Sequence, residues 1–422
     1  MPTSLNRQAY LDWLRIFAIF GVLFFHAAMP FAAEEGWHIK NSETSNLFLE
    51  FNFFMSRFRM PLLFFISGAV CFFMLKRRNA SQFIGLRFKR LFIPLLFGML
   101  VIVPPQVYME RVANGYSGSF WQFYPSIFEG KAYPAGNTSW HHLWFILYLF
   151  IYDILAVPFF LKVMKNKSQA FSRFIAWLSE GKRIYLLLLP GLIPYVLLIG
   201  TFPQTNDLIH DWAMFFYWFS FVIAGFLVIS QQQLLESIVR NRRSSLLIAF
   251  ISIVTLNYFR WNSVEPWEVL SNWQNHPLTY LYRSLYVFMS YSAVFALVGY
   301  AKTYLNRQHT FLTYANPAVY PFYILHQTVI VILAFYVVQV NESILNKYLF
   351  LAGVTFLLCM GIYHLMIRQN KVLRFVFGMK EEAEGRREKA EMKNQKGEFK
   401  DTNESFQLSK PESQILNLKS QL

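Results

Sequence analysis

The sequence predicts an all-α fold, a polytopic membrane bundle of about ten transmembrane helices, on three observations. Of the 422 residues, 55% are hydrophobic and 19% aromatic. Only 15% are charged, where a soluble domain carries roughly 25%. Apolar runs of about 20 residues, the length a helix needs to cross hydrocarbon, recur along most of the chain, and mean hydropathy is +0.31.

The runs place spans at about 13–33, 52–75, 88–107, 142–162, 184–200, 212–230, 245–259, 279–300, 317–339 and 345–367. Leu47 to Phe58 is apolar but interrupted by Glu50 and Arg57, with Arg59 and Pro61 close behind. It reads as an interfacial helix leading into the second span. The first run ends in Phe31-Ala-Ala33, as a signal peptide does. It lacks a short basic region directly at the start and many spans follow, so it is expected to be retained; cleavage would discard His26.

Most of the 39 lysines and arginines fall near Arg7 and Arg15, in 76–90, 162–183, 240–243 and 302–307, and beyond 367. By the positive-inside rule those segments and both termini are cytoplasmic. The same rule explains the net charge of +15 without a nucleic-acid partner. Cys71 and Cys359 both lie in apolar runs, so no disulfide framework or zinc spacing can be built, and no metal is expected. The body is 1–378; 379–422 holds balanced basic and acidic residues with little apolar periodicity and reads as a polar, disordered cytosolic tail. The longest outer loop, 108–140, carries Tyr108, Tyr116, Trp121, Tyr124, Tyr133 and Trp140, which suit an interfacial aromatic belt or a sugar-binding rim.

Ionisable residues inside the spans carry the chemistry. Arg15 and His26 are eleven residues apart, which returns to the same helix face within about 20° and separates them by about 16 Å. Arg15, near a span end, is an anchor or a ligand. His26 has no interface to reach, so it is either a buried neutral imidazole or a general base, a role its near-neutral pKa suits. Arg87 and Arg90 project from one side of the third span; they are ordinary positive-inside charge or, beside Arg15, a phosphate-binding rim. His142 and Asp153 repeat the eleven-residue offset on the fourth span. A deep carboxylate there needs a partner, for which an arginine near the inner face or the hydroxyls of Tyr148 and Tyr152 are candidates. His326 sits mid-span in the ninth run and His364 near the cytosolic side of the tenth, both compatible with structural roles.

These pieces, in this order, resemble the membrane-bound acyltransferase 3 family across roughly 7–378. Arg15 and His26 match its Arg-x10-His pattern and Arg87 and Arg90 its Arg-x-x-Arg element. Pro61-Leu-Leu-Phe-Phe-Ile-Ser67-Gly68, His142-Leu-Trp-Phe and Tyr323-Ile-Leu-His326 resemble its recurring segments, with a flavour of the branch that modifies periplasmic glucans with succinyl groups. The resemblance implies an enzyme of a bacterial inner membrane that moves an acyl group, acetyl or succinyl, from a cytosolic acyl-CoA to a hydroxyl of an extracytoplasmic glycan. It has no permanently bound cofactor; acetyl-CoA or succinyl-CoA is the donor substrate, the glycan the acceptor and membrane lipid the surroundings, with self-association left open. Arg87 and Arg90, with Arg15, would hold the donor. His26 would be general base or transient acyl carrier, and Ser67, His142, Tyr323 and His326 are candidates for the acceptor or oxyanion site, with Asp153 a charge partner. Two other classes compete: a solute transporter lined by intramembrane Arg, His and Asp, and a scaffold without catalysis.

Overall fold

The computed structural model describes residues 8–34 and 36–380. Among these there is no strand, only isolated bridges such as Ala32 with Ser45. Nine helical segments are long and apolar enough to cross a membrane, ten if one bent pair is counted as a span. In chain order they are α1 (Ala9–Ala28), α2 (Asn46–Ser56) running into α3 (Arg59–Leu75), α4 (Ala80–Ala113), α5 (Trp144–Lys165), and the pair α6 (Gln169–Ser179) and α7 (Arg183–Leu198), bent by 108°. Then follow α8 (Trp212–Ser230), α9 (Gln232–Trp261), α10 (Pro277–Tyr304), α11 (Thr310–Val337) and α12 (Ile344–Ile362). The tail beyond Lys380 lies outside the described residues.

Each boundary has a local cause. α1 ends at Ala28, just before Met29 and Pro30; Pro30 has no N–H to continue the helical hydrogen bonding. Pro61 falls in the first turn of α3, where its missing N–H costs nothing. α4 is not uniform: Phe88–Phe92 and Gly98–Ile102 are π-helical turns. They precede Pro94 and the Pro104-Pro105 pair, which cannot donate to the turn before them, so the helix widens there. The break between α6 and α7 falls at Gly181, whose φ of +52° suits glycine.

The basic 240–243 segment lies in α9, which continues past the membrane-length run with Arg240 and Arg243 exposed. Of the Leu47–Phe58 segment, Leu47 to Ser56 lies in α2 and Arg57-Phe58 turns into α3; the two helices make a single 30-residue candidate span.

α1 and α11 run parallel. Arg15 near the start of α1 reaches Asn316 at 2.7 Å, and His26 near its end reaches His326 at 2.8 Å. Parallel courses need an odd number of crossings between them, which counts α6–α7 as one crossing and gives ten. α3 and α8 approach closely: a Cβ on Gly68 would collide with the Val222 carbonyl, and one on Gly225 with the Phe65 carbonyl. Small residues let membrane helices approach this closely. The side chains of Leu246, Leu247, Phe250, Ile251 and Val254 on α9 are exposed and form its lipid-facing stripe.

Candidate active site

The polar centre is built where α1, α3, α5 and α11 meet. His326, fully buried, has Nδ1 2.6 Å from the Tyr323 carbonyl. A carbonyl can only accept, so Nδ1 carries the proton and Nε2 of the neutral ring is an acceptor. His26 Nδ1, 2.8 Å from that Nε2, must donate, and the lone pair of His26 is left on its own Nε2. A third imidazole, His142, lies with its ring 5.2 Å from that of His326. Its Nε2–H donates to the Ile324 carbonyl at 2.9 Å, and the Tyr323 hydroxyl donates to the His142 carbonyl. The family-like segments on α5 and α11 are thus cross-linked to each other behind His26.

The loop from Met29 to Ser45 covers this centre. Lys40 Nζ holds the Met29 and Ala32 carbonyls at 3.0 and 2.6 Å, and Lys347 on α12 donates to Asn41 at 2.9 Å. Burial depresses the Lys40 ammonium pKa below its ordinary value, partly offset by Glu34. So anchored, the loop stacks Trp37 on the His26 ring, with centroids 5.7 Å apart and planes at 15°. The next residue, His38, donates from Nδ1 to Glu110 and accepts at Nε2 from Gln106 and Gln327, at 3.3 and 3.4 Å. Tyr133 also donates to Glu110, and burial with that carboxylate pushes the Tyr133 phenol up to about 12. His141, with a left-handed φ of +38° that costs a non-glycine residue energy, places its ring 4.7 Å from His38 and 4.6 Å from Tyr133.

Several polar atoms around this centre are buried without a hydrogen-bond partner among the described residues: Trp37 Nε1, Arg59 Nε and Nη1, His141 Nε2 and His142 Nδ1. Native structures rarely leave such groups orphaned, so ordered water or a ligand is expected to complete their bonding. Arg59 opens α3, with its guanidinium 3.3 Å over the Phe25 ring.

Toward the other end of α1 the remaining predicted residues separate into two neighbouring groups. Arg15 is held by Asn316 and Asp12. Arg87 is buried, its Nε 2.7 Å from Asp153 and its Nη2 3.1 Å from Cys71; Cys71 in turn donates to Asp153 at 3.1 Å. Asp153 therefore finds an arginine, while Tyr148 and Tyr152 bond instead to Asp211 and the Phe215 carbonyl. Arg90 lies in the first π turn of α4, half-buried, and its carbonyl faces Gly378 beside the Tyr320 ring. Asn316 and Tyr320 are one turn apart on α11, about 15 and 9 Å along the helix from His326, so Arg15 and Arg90 flank the same stretch of it. Ser67 is not brought to His26: it lies two turns beyond Arg59 on α3, where its carbonyl accepts from Cys71. His364 pairs with Tyr314, away from the centre.

Sequence reasoning missed His38, Glu110, Gln106 and Arg59. A weak signal existed for Glu110, an acid at the apolar end of the third span, and for Arg59, a charge interrupting the second.

A ten-span bundle that buries, among the described residues, a tautomer-fixed histidine pair, an arginine whose Nε and Nη1 lack a hydrogen-bond partner and further such polar atoms at one centre has the form of a membrane-embedded enzyme. The particular class is a membrane acyltransferase: the chain belongs to the acyltransferase 3 family, whose acyltransferase domain matches residues 8–364. It is 28% identical over 169 residues to glucans biosynthesis protein C of Escherichia coli (strain SMS-3-5 / SECEC), and likewise to those of the K12 and O1:K1 / APEC strains. The match covers 39% of this chain and 42% of each relative, so the chain spans less than half the length of the curated relatives it matches. No solved structure matches.

Proposed function

We propose that the 1–378 body is an O-acyltransferase that takes an acetyl or succinyl group from acyl-CoA on the cytosolic side and places it on a hydroxyl of an extracytoplasmic glycan. The observation that carries this is the tautomer of His26: with Nδ1–H committed to His326, Nε2 presents a lone pair beside a set of unsatisfied polar atoms. In this reading Nε2 takes the proton of the acceptor hydroxyl as it attacks the thioester, and His326, held by the Tyr323 carbonyl, keeps the imidazole aligned. Charge asymmetry supports cytoplasmic termini, and the family supports a bacterial inner membrane. The donor's phosphates then meet Arg15, Arg87 and Arg90, and the thioester reaches along α11 to His26. The relatives' name, a glucans biosynthesis protein, supports a glucan-type acceptor. Trp37, Tyr133 and His141 offer ring faces, and the Glu110–His38 pair polar contacts, of the kind sugars use. No resident cofactor or metal takes part in this scheme.

The test is product analysis. Purified protein with labelled acetyl-CoA or succinyl-CoA and a glucan acceptor is expected to give an acylated glucan by mass spectrometry. Solute uptake into vesicles with no acylated product from either donor would instead favour a transporter.

A further inference from the structure

Every acyl transfer of this kind passes through a tetrahedral centre whose oxygen becomes negative, and a hydrogen-bond donor must already point at that oxygen. The sequence-level candidates for the task are otherwise engaged. The Tyr323 hydroxyl is spent on the His142 carbonyl, the His142 Nε2–H on the Ile324 carbonyl, and Ser67 lies two turns away on α3. Arg59 is different. It is 8% exposed, and Nε and Nη1 have no hydrogen-bond partner among the described residues. Its guanidinium packs on Phe25, whose ring stands 5.2 Å from that of His26, so it belongs to the same centre. Phe25, the neighbour of His26 in sequence, packs on the guanidinium at 3.3 Å, which fixes its plane and leaves its N–H edge to bond in that plane. No carboxylate contacts it among the described residues, so a permanent cation is held at membrane depth at a cost that a structural role does not explain.

We infer that Arg59 is a catalytic residue, the group that binds the acyl carbonyl oxygen as it becomes an oxyanion. This rests on the acyltransferase reading above. The acceptor oxygen bonds to the thioester carbon, the carbonyl π electrons move onto oxygen beside Arg59, and the hydroxyl proton passes to His26 Nε2. Collapse re-forms the carbonyl and breaks the carbon–sulfur bond, and the proton on His26 goes to the departing thiolate, so charge and atoms balance.

The test compares the full-length protein with Arg59→Gln, Arg59→Met and Arg59→Lys, using acetyl-CoA and succinyl-CoA. Loss of an oxyanion donor lowers kcat by roughly 100- to 1000-fold. Arg59→Gln and Arg59→Met are expected to show that loss with both donors, with donor KM within threefold of wild type, while Arg59→Lys retains more activity than either. Because no ion pair is broken, both neutral variants are expected to melt at or above the wild-type temperature. Three results overturn the inference: kcat within threefold of wild type, a loss confined to the succinyl donor and expressed in its KM, or failure of both neutral variants to fold. A wild-type protein inactive with every acyl thioester would instead remove the acyltransferase reading itself, and this inference with it.

Discussion

Replacing Asp153 by asparagine removes one charge of a pair whose atoms stand 2.7 Å apart with both side chains buried. At an effective dielectric of about 20 the Coulomb attraction at that distance is about 6 kcal/mol, set against the cost of desolvating both ions. The net worth of the pair is therefore small, but removing one partner strands the other, which costs about 3–5 kcal/mol. Arg87 would keep its hydrogen bond to the Cys71 sulfur and could still donate to the amide oxygen, but its buried charge would have lost its counter-ion. For a body of this size, that loss corresponds to a Tm drop of roughly 5 °C. Thermal unfolding in detergent, followed by tryptophan emission, is expected to show it for Asp153→Asn. The double variant Arg87→Met with Asp153→Leu should recover most of it, since neither charge remains. If Arg87 also contacts the donor, the recovered double variant should still show a donor KM raised about tenfold or more. An Asp153→Asn protein as stable as wild type, or a double variant no better than the single, would refute the ion-pair argument. A double variant with unchanged donor KM would leave Arg87 as a packing element of the α4–α5 contact alone.

Two further outcomes are expected. His326→Ala removes the acceptor behind the His26 Nδ1–H, a bond to a group that becomes charged and so is worth about 1.5–3 kcal/mol; kcat should fall roughly ten- to a hundredfold with donor KM unchanged, and a rate within threefold of wild type would count against the positioning role. Asp211, in the loop before α8, has its carboxyl pushed by burial from 3.8 up to about 6. The native state therefore binds more protons than the unfolded chain between those values, and stability should fall by at most about 3 kcal/mol as pH rises from about 4 to about 6, then stay at the lower level. Melting temperatures across that range should show the fall in wild type and not in Asp211→Asn; the same slope in both would assign it to other groups.

How much of this was legible in the sequence depended on sequence distance. The Arg15–His26 stripe could be read from spacing because helical periodicity within one span is fixed, and both residues do face α11. That Asp153 needed a partner followed from its depth, and Arg87 is that partner. His38 and Glu110 could not be paired, since they are 72 positions apart with an irregular loop between them and no periodicity reports on a loop's path. Arg59 was visible as a charge in an apolar segment, but its isolation depends on which side chains the neighbouring helices present. The two π turns of α4 follow from Pro94 and Pro104-Pro105 once the segment is known to continue as one helix.

The central claim is that His26 Nε2 is the base of the acyl transfer. The most direct measurement is the initial rate of labelled acyl transfer to a glucan acceptor by His26→Ala, with its melting temperature taken on the same preparation. The account predicts a folded protein with a rate at least about a hundredfold below wild type, in line with what a positioned base contributes. A folded His26→Ala protein that transfers acyl groups at close to the wild-type rate would contradict it.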